Sequence, residues 1–439
     1  MTASLCSRTG WAVILLAGWA FCVPKLAVSQ ELSFRHAIEL ALTHSGEMAI
    51  AASDQVRVRQ NYLEARDQFL PQVTVGSGLA ATYGFPLSIE GSAPTIVNVN
   101  TQQFLINFAQ RDFVRAAKQD WRATDLLSRD KRDQVILETA LVYAELDNVA
   151  SALNLLRQQQ DEAGRAEQVV GDRVRAGVDS AVELTKAKLA SARVRVSVAQ
   201  NNGTADVLKA RLAQLTGLTA DSIQTSTESI PKLPEVRQDE NLVGKALQNS
   251  PALKFAQEQA ESQALRARGE HKMLYPAVDL VAQYGLFSKA NHYQDFYKKF
   301  SRNNATFGVA IRVPILNSAG KAHAAAADAE AMAAKKQAEG VSNQVSSETL
   351  KLQRSVEQLA AARDVARLEY DLAHSDVEAV GARIQAGTAT LKDQESARLA
   401  ENQRYMALLD AGFQLDKAQM QLMRATGDLQ QWAMSGSQP

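Results

Sequence analysis

Two hydrophobic periods alternate along this chain. After Leu70-Pro71, the residues Val73, Val75, Ser77, Leu79, Ala81 and Tyr83 share one face of an extended segment, and after Tyr275-Pro276 the same holds for Val278, Leu280, Ala282, Tyr284 and Leu286. A period of two predicts strands. Return strands are expected at Thr95 to Phe108 and Ala305 to Ile315; in the second, Phe307, Val309, Ile311 and Val313 alternate with Thr306, Gly308, Ala310 and Arg312. The polar stretches Pro86 to Pro94 and Ser288 to Asn304 read as the loops between them, the latter carrying Tyr293, Phe296, Tyr297 and Phe300.

Elsewhere the period is helical. Proline is absent between Pro94 and Pro231 and again between Pro314 and Pro439. A proline inside a helix removes a hydrogen bond and clashes with the preceding turn, so each gap has room for long helices. Tandem pairs are expected at Ala109 to Arg173 with Ser180 to Thr216, and at Ser318 to Arg383 with Leu391 to Thr426. A helix of ~60 residues is ~90 Å long, which no compact globule of this size requires. Val345, Leu352, Leu359 and Ala366 recur at heptad spacing with Val356 and Tyr370 between them, a coiled-coil seam. Other windows put Ala and polar residues on the seam, so partner helices from other subunits are expected.

The order helix, strand, loop, strand, two long helices occurs twice. At an offset of 205 (276 minus 71), Ala41-Leu42-Thr43-His44-Ser45 meets Ala246-Leu247-Gln248-Asn249-Ser250. Beyond the strands the offset is 210: Leu105-Ile106-Asn107 meets Ile315-Leu316-Asn317, Gly177 meets Gly387, and Thr216-Gly217 meets Thr426-Gly427. The second copy therefore carries five extra residues (210 minus 205) between its strands. Chance likeness of two Ala/Gln/Glu-rich stretches does not place Pro, Gly and β-type alternation in step. The repeats are expected at 30–235 and 236–427, with hairpins at about 72–108 and 277–315, long helices at about 109–216 and 318–426, and a tail at 428–439.

Composition narrows this picture. Of 439 residues only 6% are aromatic, and Ala, Gln, Glu, Lys, Arg and Leu dominate long segments, the usage of long helices. Lys+Arg and Asp+Glu balance at 48 each, which gives no basic face for nucleic acid. Arg8, the apolar run from Trp11 to Val23 and the small residues of Ala27-Val28-Ser29 read as a cleavable export signal over 1–29. The run is short of the ~20 apolar residues that a membrane span needs. Cys6 and Cys22 are the only cysteines, so the chain from Gln30 onward has no thiol; Cys22 raises lipid acylation as an alternative, with bulky Phe21 before it against that reading. Loss of Arg8 and Lys25 with the leader leaves 46 basic against 48 acidic residues, a net charge of −2. The six histidines show no ligand spacing, and neither a phosphate-binding Gly loop nor a nucleophile elbow appears, so no enzyme, cofactor or metal site is expected.

Two hairpins supply only four strands with open edges. A soluble sheet would bury its apolar face under a helix. In an exported protein, alternating strands of ~9 to 11 residues suit an outer-membrane barrel, which four strands close only by joining those of identical neighbours. Together with the tandem repeat, the Leu-Pro and Tyr-Pro steps into strand, the Leu-Ile-Asn and Ile-Leu-Asn-x-x-Gly exits and two Arg-x-x-x-Gly turns, the chain resembles the TolC-like outer-membrane efflux proteins over nearly all its exported length. The resemblance implies a mainly α fold with a transmembrane β-barrel portion: a homotrimer with four strands per subunit in a twelve-stranded barrel, continued by long helices as a tunnel through the periplasm. It implies that the linker from Leu218 to Gln238 and the tail after Gly427 sit in an equatorial region. It also implies a passive exit duct of a tripartite efflux or type I secretion system, driven through a periplasmic adaptor by an inner-membrane transporter of RND, ABC or MFS type. A periplasmic coiled-coil scaffold without channel activity is the alternative.

On this resemblance the two helix-to-helix turns form the inner tip of the tunnel. Gly177, Val178, Asp179 and Ser180, with Gly387, Thr388, Ala389 and Thr390, are the residues implied to dock the adaptor. The same Gly, and Ser180 or Thr390 after it, equally serve to end one helix and cap the next. Glu183 and Asp393 lie six residues beyond each Gly; acids there suit a helix N-terminus, and if both face the lumen they form an acidic constriction in a trimer. Arg173 and Arg383 are expected either to hold the closed tip by bonding neighbouring helices or simply to complement helix dipoles. The family's best-known member has a basic residue where Ala389 stands, so its gating network does not transfer whole.

Overall fold

The structure, a computed structural model, describes residues 31–78, 95–234, 241–287, 301–389 and 391–435. The expected leader, the loop from Pro86 to Pro94, most of the loop from Ser288 to Asn304, and Thr390 lie outside the described residues.

In chain order the elements are α1 (Phe34–His44), α2 (Gly46–Asp67), β1 (Gln72–Gly78), β2 (Thr95–Ile106), α3 (Phe108–Arg175), α4 (Ala181–Thr216), α5 (Leu242–Asn249), α6 (Pro251–Lys272), β3 (Ala277–Phe287), β4 (Asn303–Arg312), α7 (Ser318–Gln385), α8 (Leu391–Thr426) and α9 (Leu429–Met434). The two longest helices, α3 and α7, have 68 residues each, and their partners α4 and α8 have 36 each. At 1.5 Å per residue α3 and α7 are ~100 Å long. All four helix ends obey the offset of 210: 108 and 318, 175 and 385, 181 and 391, 216 and 426.

Local chemistry sets these boundaries. Asn107 caps α3 by accepting from the Gln110 amide at 2.9 Å, and Asn317 caps α7 by accepting from the Gly320 amide at 2.7 Å. The expected return strand ending at Phe108 therefore stops at Ile106, because Asn107 turns the chain and Phe108 is already helical. The second return strand, expected to reach Ile315, ends at Arg312; Pro314 has no N–H for the ladder, and Ile315 and Leu316 stand exposed beyond it.

The duplicated sequence blocks touch one another. Gly217 and Gly427, both at positive φ (75° and 84°), end α4 and α8. A Cβ on Gly217 would lie 3.1 Å from the His44 ring, and one on Gly427 would lie 3.0 Å from Asn249 Cβ. Asn249 is His44 shifted by 205, and its side-chain amide donates to the Thr426 carbonyl at 2.9 Å. Each short helix is thus pinned to the end of its own long pair.

The largest core lies midway along α3. Tyr143 is fully buried beneath Phe34 and beside Leu146, Leu212 and Ile223, and Trp432 of α9 packs edge-on against Phe34 at 5.4 Å. The Tyr143 hydroxyl donates to the Leu32 carbonyl at 2.5 Å and accepts from the Ser226 amide at 2.8 Å. Segment 218–234 and α9 therefore meet the start of the described chain at one belt around the long helices. A smaller cluster joins Leu352, Val356 and Leu359 of the α7 seam to Leu415, Ala418 and Leu422 of α8.

The strands form one antiparallel sheet in the order β1-β2-β3-β4, leaving β1 and β4 as its edges. Register aligns Val73 with Thr101, Val99 with Tyr284, Thr101 with Ala282 and Ala282 with Phe307. One face thus carries Val73, Val75, Val99, Leu280, Ala282, Phe307, Val309 and Ile311, with Thr101 and Gln103 among its polar members. The other carries Gln72, Thr74, Asn98, Asn100, Gln102, Asp279, Gln283, Thr306 and Arg312, with Phe104 and Val281 among its apolar members. Val73, Val75, Phe307, Val309 and Ile311 are all more than half exposed, so no helix among the described residues covers the apolar face.

Candidate functional site

The helical end farthest from the sheet is made by two turns of identical backbone design. Where α3 ends, the Val178 amide donates to the Arg173 carbonyl at 2.8 Å and the Gly177 amide to the Val174 carbonyl at 3.0 Å. Where α7 ends, Thr388 donates to Arg383 at 2.9 Å and Gly387 to Ile384 at 2.9 Å. This paired closure needs a left-handed residue after the helix, and Gly177 and Gly387 supply it at φ 74° and 73°. No atom lies within 4 Å of where either Cβ would be, so backbone conformation and not crowding calls for glycine there.

The side chains of the two turns differ. Arg173 makes a forked contact with Asp179 of its own turn, Nε to Oδ2 at 2.7 Å and Nη2 to Oδ1 at 3.1 Å. Its hydrogen bond to Asp179 holds the guanidinium above its usual range, and that carboxylate's charge adds to this. The turn brings the acid six residues on into reach of Arg173. In the second turn Ala389 occupies the place of Asp179 (179 plus 210), and among the described residues the Arg383 side chain makes no ion pair. The Thr388 hydroxyl instead donates to the Arg383 carbonyl at 3.1 Å.

Ser180 caps α4 by accepting from the Glu183 amide at 3.4 Å. Glu183 sits in the first turn, where an acid favours the positive helix end, and its carboxylate accepts from Lys186 Nζ at 2.8 Å. Asp393 occupies the corresponding first turn of α8. Glu183 and Asp393 therefore lie at the same height, just inside the tip, on α4 and α8.

Three polar features escaped sequence reasoning. His374 of α7 contacts Glu401 of α8, Asp416 is half-buried on α8, and Arg312 meets Asp279 on the polar sheet face. The last had a visible signal: Asp279 and Arg312 are lone charges in strands otherwise free of them.

A sheet with an exposed apolar face, a polar opposite face and two free edges, mounted on helices ~100 Å long, defines the barrel-and-tunnel class of channel. Among the described residues no helix is long and apolar enough to cross a membrane. Residues 37–218 and 242–428 match the outer membrane efflux protein family, and the chain belongs to that family. It is similar to Protein CyaE of Bordetella pertussis, 24% identical over 313 residues that cover 69% of this chain and 64% of that protein, a little under two thirds of its length. Among solved structures it is similar to the outer membrane protein VceC of Vibrio cholerae, with a TM-score of 0.71 and 21% identity over 90% of this chain and 96% of that one. The CmeC outer membrane channel of Campylobacter jejuni gives a TM-score of 0.74 and 15% identity over 90% and 86% of the two chains. The open state of the MtrE outer membrane channel of Neisseria gonorrhoeae gives 0.72 and 17% over 92% of each. The expected TolC-like fold, a helical tunnel with barrel strands, is thereby shown.

Proposed function

We propose that the protein is the outer-membrane exit duct of a tripartite efflux or secretion system: a homotrimer whose four-stranded sheets close a twelve-stranded barrel and whose helices form a periplasmic tunnel. The observation that carries this is the sheet itself. Its apolar face is solvent-exposed in the single chain, its opposite face is polar, and the outer edges of β1 and β4 have no partner among the described residues. Lipid outside, water inside and neighbouring copies at the edges satisfy all three demands.

The tip turns are then the inner mouth. Gly177, Val178, Asp179 and Ser180, with Gly387, Thr388, Ala389 and Thr390, form the docking surface for a periplasmic adaptor, through which an inner-membrane transporter drives cargo. Glu183 and Asp393 of three subunits line the constriction, where six acids favour cations. Two measurements test this reading. The protein should fractionate with outer membranes as a trimer and conduct ions in planar bilayers; recovery as a soluble, non-conducting protein would establish the scaffold alternative instead. Glu183→Ala with Asp393→Ala should lower cation preference and relieve divalent-cation block, and unchanged values would remove these acids from the gate.

A further inference from the structure

The four described strands hold two formal charges, and these charges meet. β1 and β2 have none, β3 contributes Asp279 and β4 contributes Arg312. Both belong to the polar face, where Asp279 stands opposite Phe104 of β2 and Ala310 of β4. Arg312 Nη2 donates to Asp279 Oδ2 at 2.5 Å, and Gln102 Nε2 of β2 donates to the same oxygen at 3.2 Å. The Asp279 side chain is only 1% exposed and its Oδ1 has no hydrogen-bond partner among the described residues, while the Arg312 side chain is 68% exposed. A buried carboxylate is costly unless paired, and among the described residues Arg312 is its one cationic partner.

Duplication explains the placement. Arg312 corresponds to Gln102 (312 minus 210) and Asp279 to Thr74 (279 minus 205). On the polar face Thr74, Gln102, Asp279 and Arg312 follow a diagonal across the four strands, each two residues along from direct alignment with the one before: the ladder pairs Thr74 with Asn100, Gln102 with Val281 and Asp279 with Ala310. What is a neutral hydroxyl and carboxamide in the first repeat is a compensated ion pair in the second. In a closed barrel the diagonal row of each copy then holds one neutral site and one paired site, with no net fixed charge.

We propose that Asp279 and Arg312 set the ion preference of the barrel lumen: while paired they cancel and the wall admits solutes of either sign, and loss of either partner makes the wall selective. The proposal rests on the channel reading above, in which the polar face lines the lumen. Fixed charges on a pore wall enrich counter-ions, and at 0.1 M salt or below they act over ~10 Å or more.

The test is reversal potential in planar bilayers under a salt gradient at low ionic strength, using the whole trimer with Glu183→Ala and Asp393→Ala as the parent so that the tip acids do not dominate. Asp279→Asn, which keeps the shape and frees three guanidinium groups, should raise the anion-to-cation permeability ratio several-fold. Arg312→Gln should move it the opposite way, and the two together should return it to the parent value. Asp279→Asn suffices alone if Arg312→Gln assembles poorly. A conducting Asp279→Asn channel with the parent's reversal potential overturns the proposal, whereas a parent trimer that does not conduct at all overturns the channel reading beneath it.

Discussion

At the scale of single residues, identical side chains in the two repeats meet different surroundings. Asp206 on α4 is exposed, whereas its counterpart Asp416 (206 plus 210) lies on the face of α8 that packs Leu415 and Ala418 against α7. Burial pushes the Asp416 carboxyl up to about 6, and Arg363 only partly opposes this. The folded protein therefore binds a proton more tightly than the unfolded chain does. Stability is lost as pH rises from the ordinary aspartate range towards 6, and the full cost, on the order of 3 kcal/mol, is present at pH 7. Asp416→Asn should accordingly raise stability at pH 7 by about that amount and leave it nearly unchanged at pH 4, as read by thermal unfolding of the detergent-solubilised protein. Equal stabilisation at both pH values would show that burial of this charge is not the cause.

At the scale of elements, the second helical pair carries a clip that the first lacks. His374 Nδ1 of α7 lies 2.5 Å from Glu401 Oε1 of α8, its ring stacks against Tyr370 at 6.0 Å, and Tyr370 meets Tyr405 of α8 at 5.5 Å. The charged groups around it are Asp371 and Glu378 on α7 and Glu401 and Arg404 on α8, the last paired with Glu369. The bond to Glu401 chiefly, and then the charges of Glu401, Glu378 and Asp371, raise the His374 pKa. This contribution is full below the ordinary imidazole value of about 6.5 and is lost as pH rises through the higher folded value. The first repeat has Gly164 and Ser191 at these places (374 and 401 minus 210). Hydrogen exchange, corrected for intrinsic rates, should show α7 and α8 losing protection near residues 370–405 as pH rises from 6 to 8, while α3 and α4 do not respond. His374→Gln should abolish the difference, and an unchanged profile in that variant would dismiss the clip. The elements themselves were legible because their signals are local: Asn107 and Asn317 cap, Gly177 and Gly387 end, and prolines fence the long helices. The pairs His374 with Glu401, Arg173 with Asp179 and Arg312 with Asp279 were not, because each depends on how helices phase, how a turn closes or which strand residues align, and no local period encodes that.

At the scale of the whole molecule, the duplication predicts how copies join. Within the chain, β2 of the first repeat pairs with β3 of the second, Thr101 facing Ala282 and Gln103 facing Leu280. If the six hairpins of a trimer are quasi-equivalent, β4 of the second repeat pairs with β1 of the next copy in the same way. Shifting β2 by 210 and β3 by 205 then aligns Ile311 with Ser77 (101 plus 210; 282 minus 205) and Val313 with Val75 (103 plus 210; 280 minus 205). Directly opposed residues on neighbouring strands hold their Cβ atoms about 5 Å apart, close enough for a disulfide or a short thiol linker. From Gln30 onward the chain contains no cysteine, so an engineered pair has no competitor there. Ile311→Cys with Ser77→Cys should give covalent dimers and trimers on oxidation in the outer membrane, visible on denaturing gels. Ile311→Cys with Val75→Cys, displaced by two residues, should cross-link far less. A reversed preference would mean that the copies meet in another register, and the two repeats would then not be equivalent units of one wall.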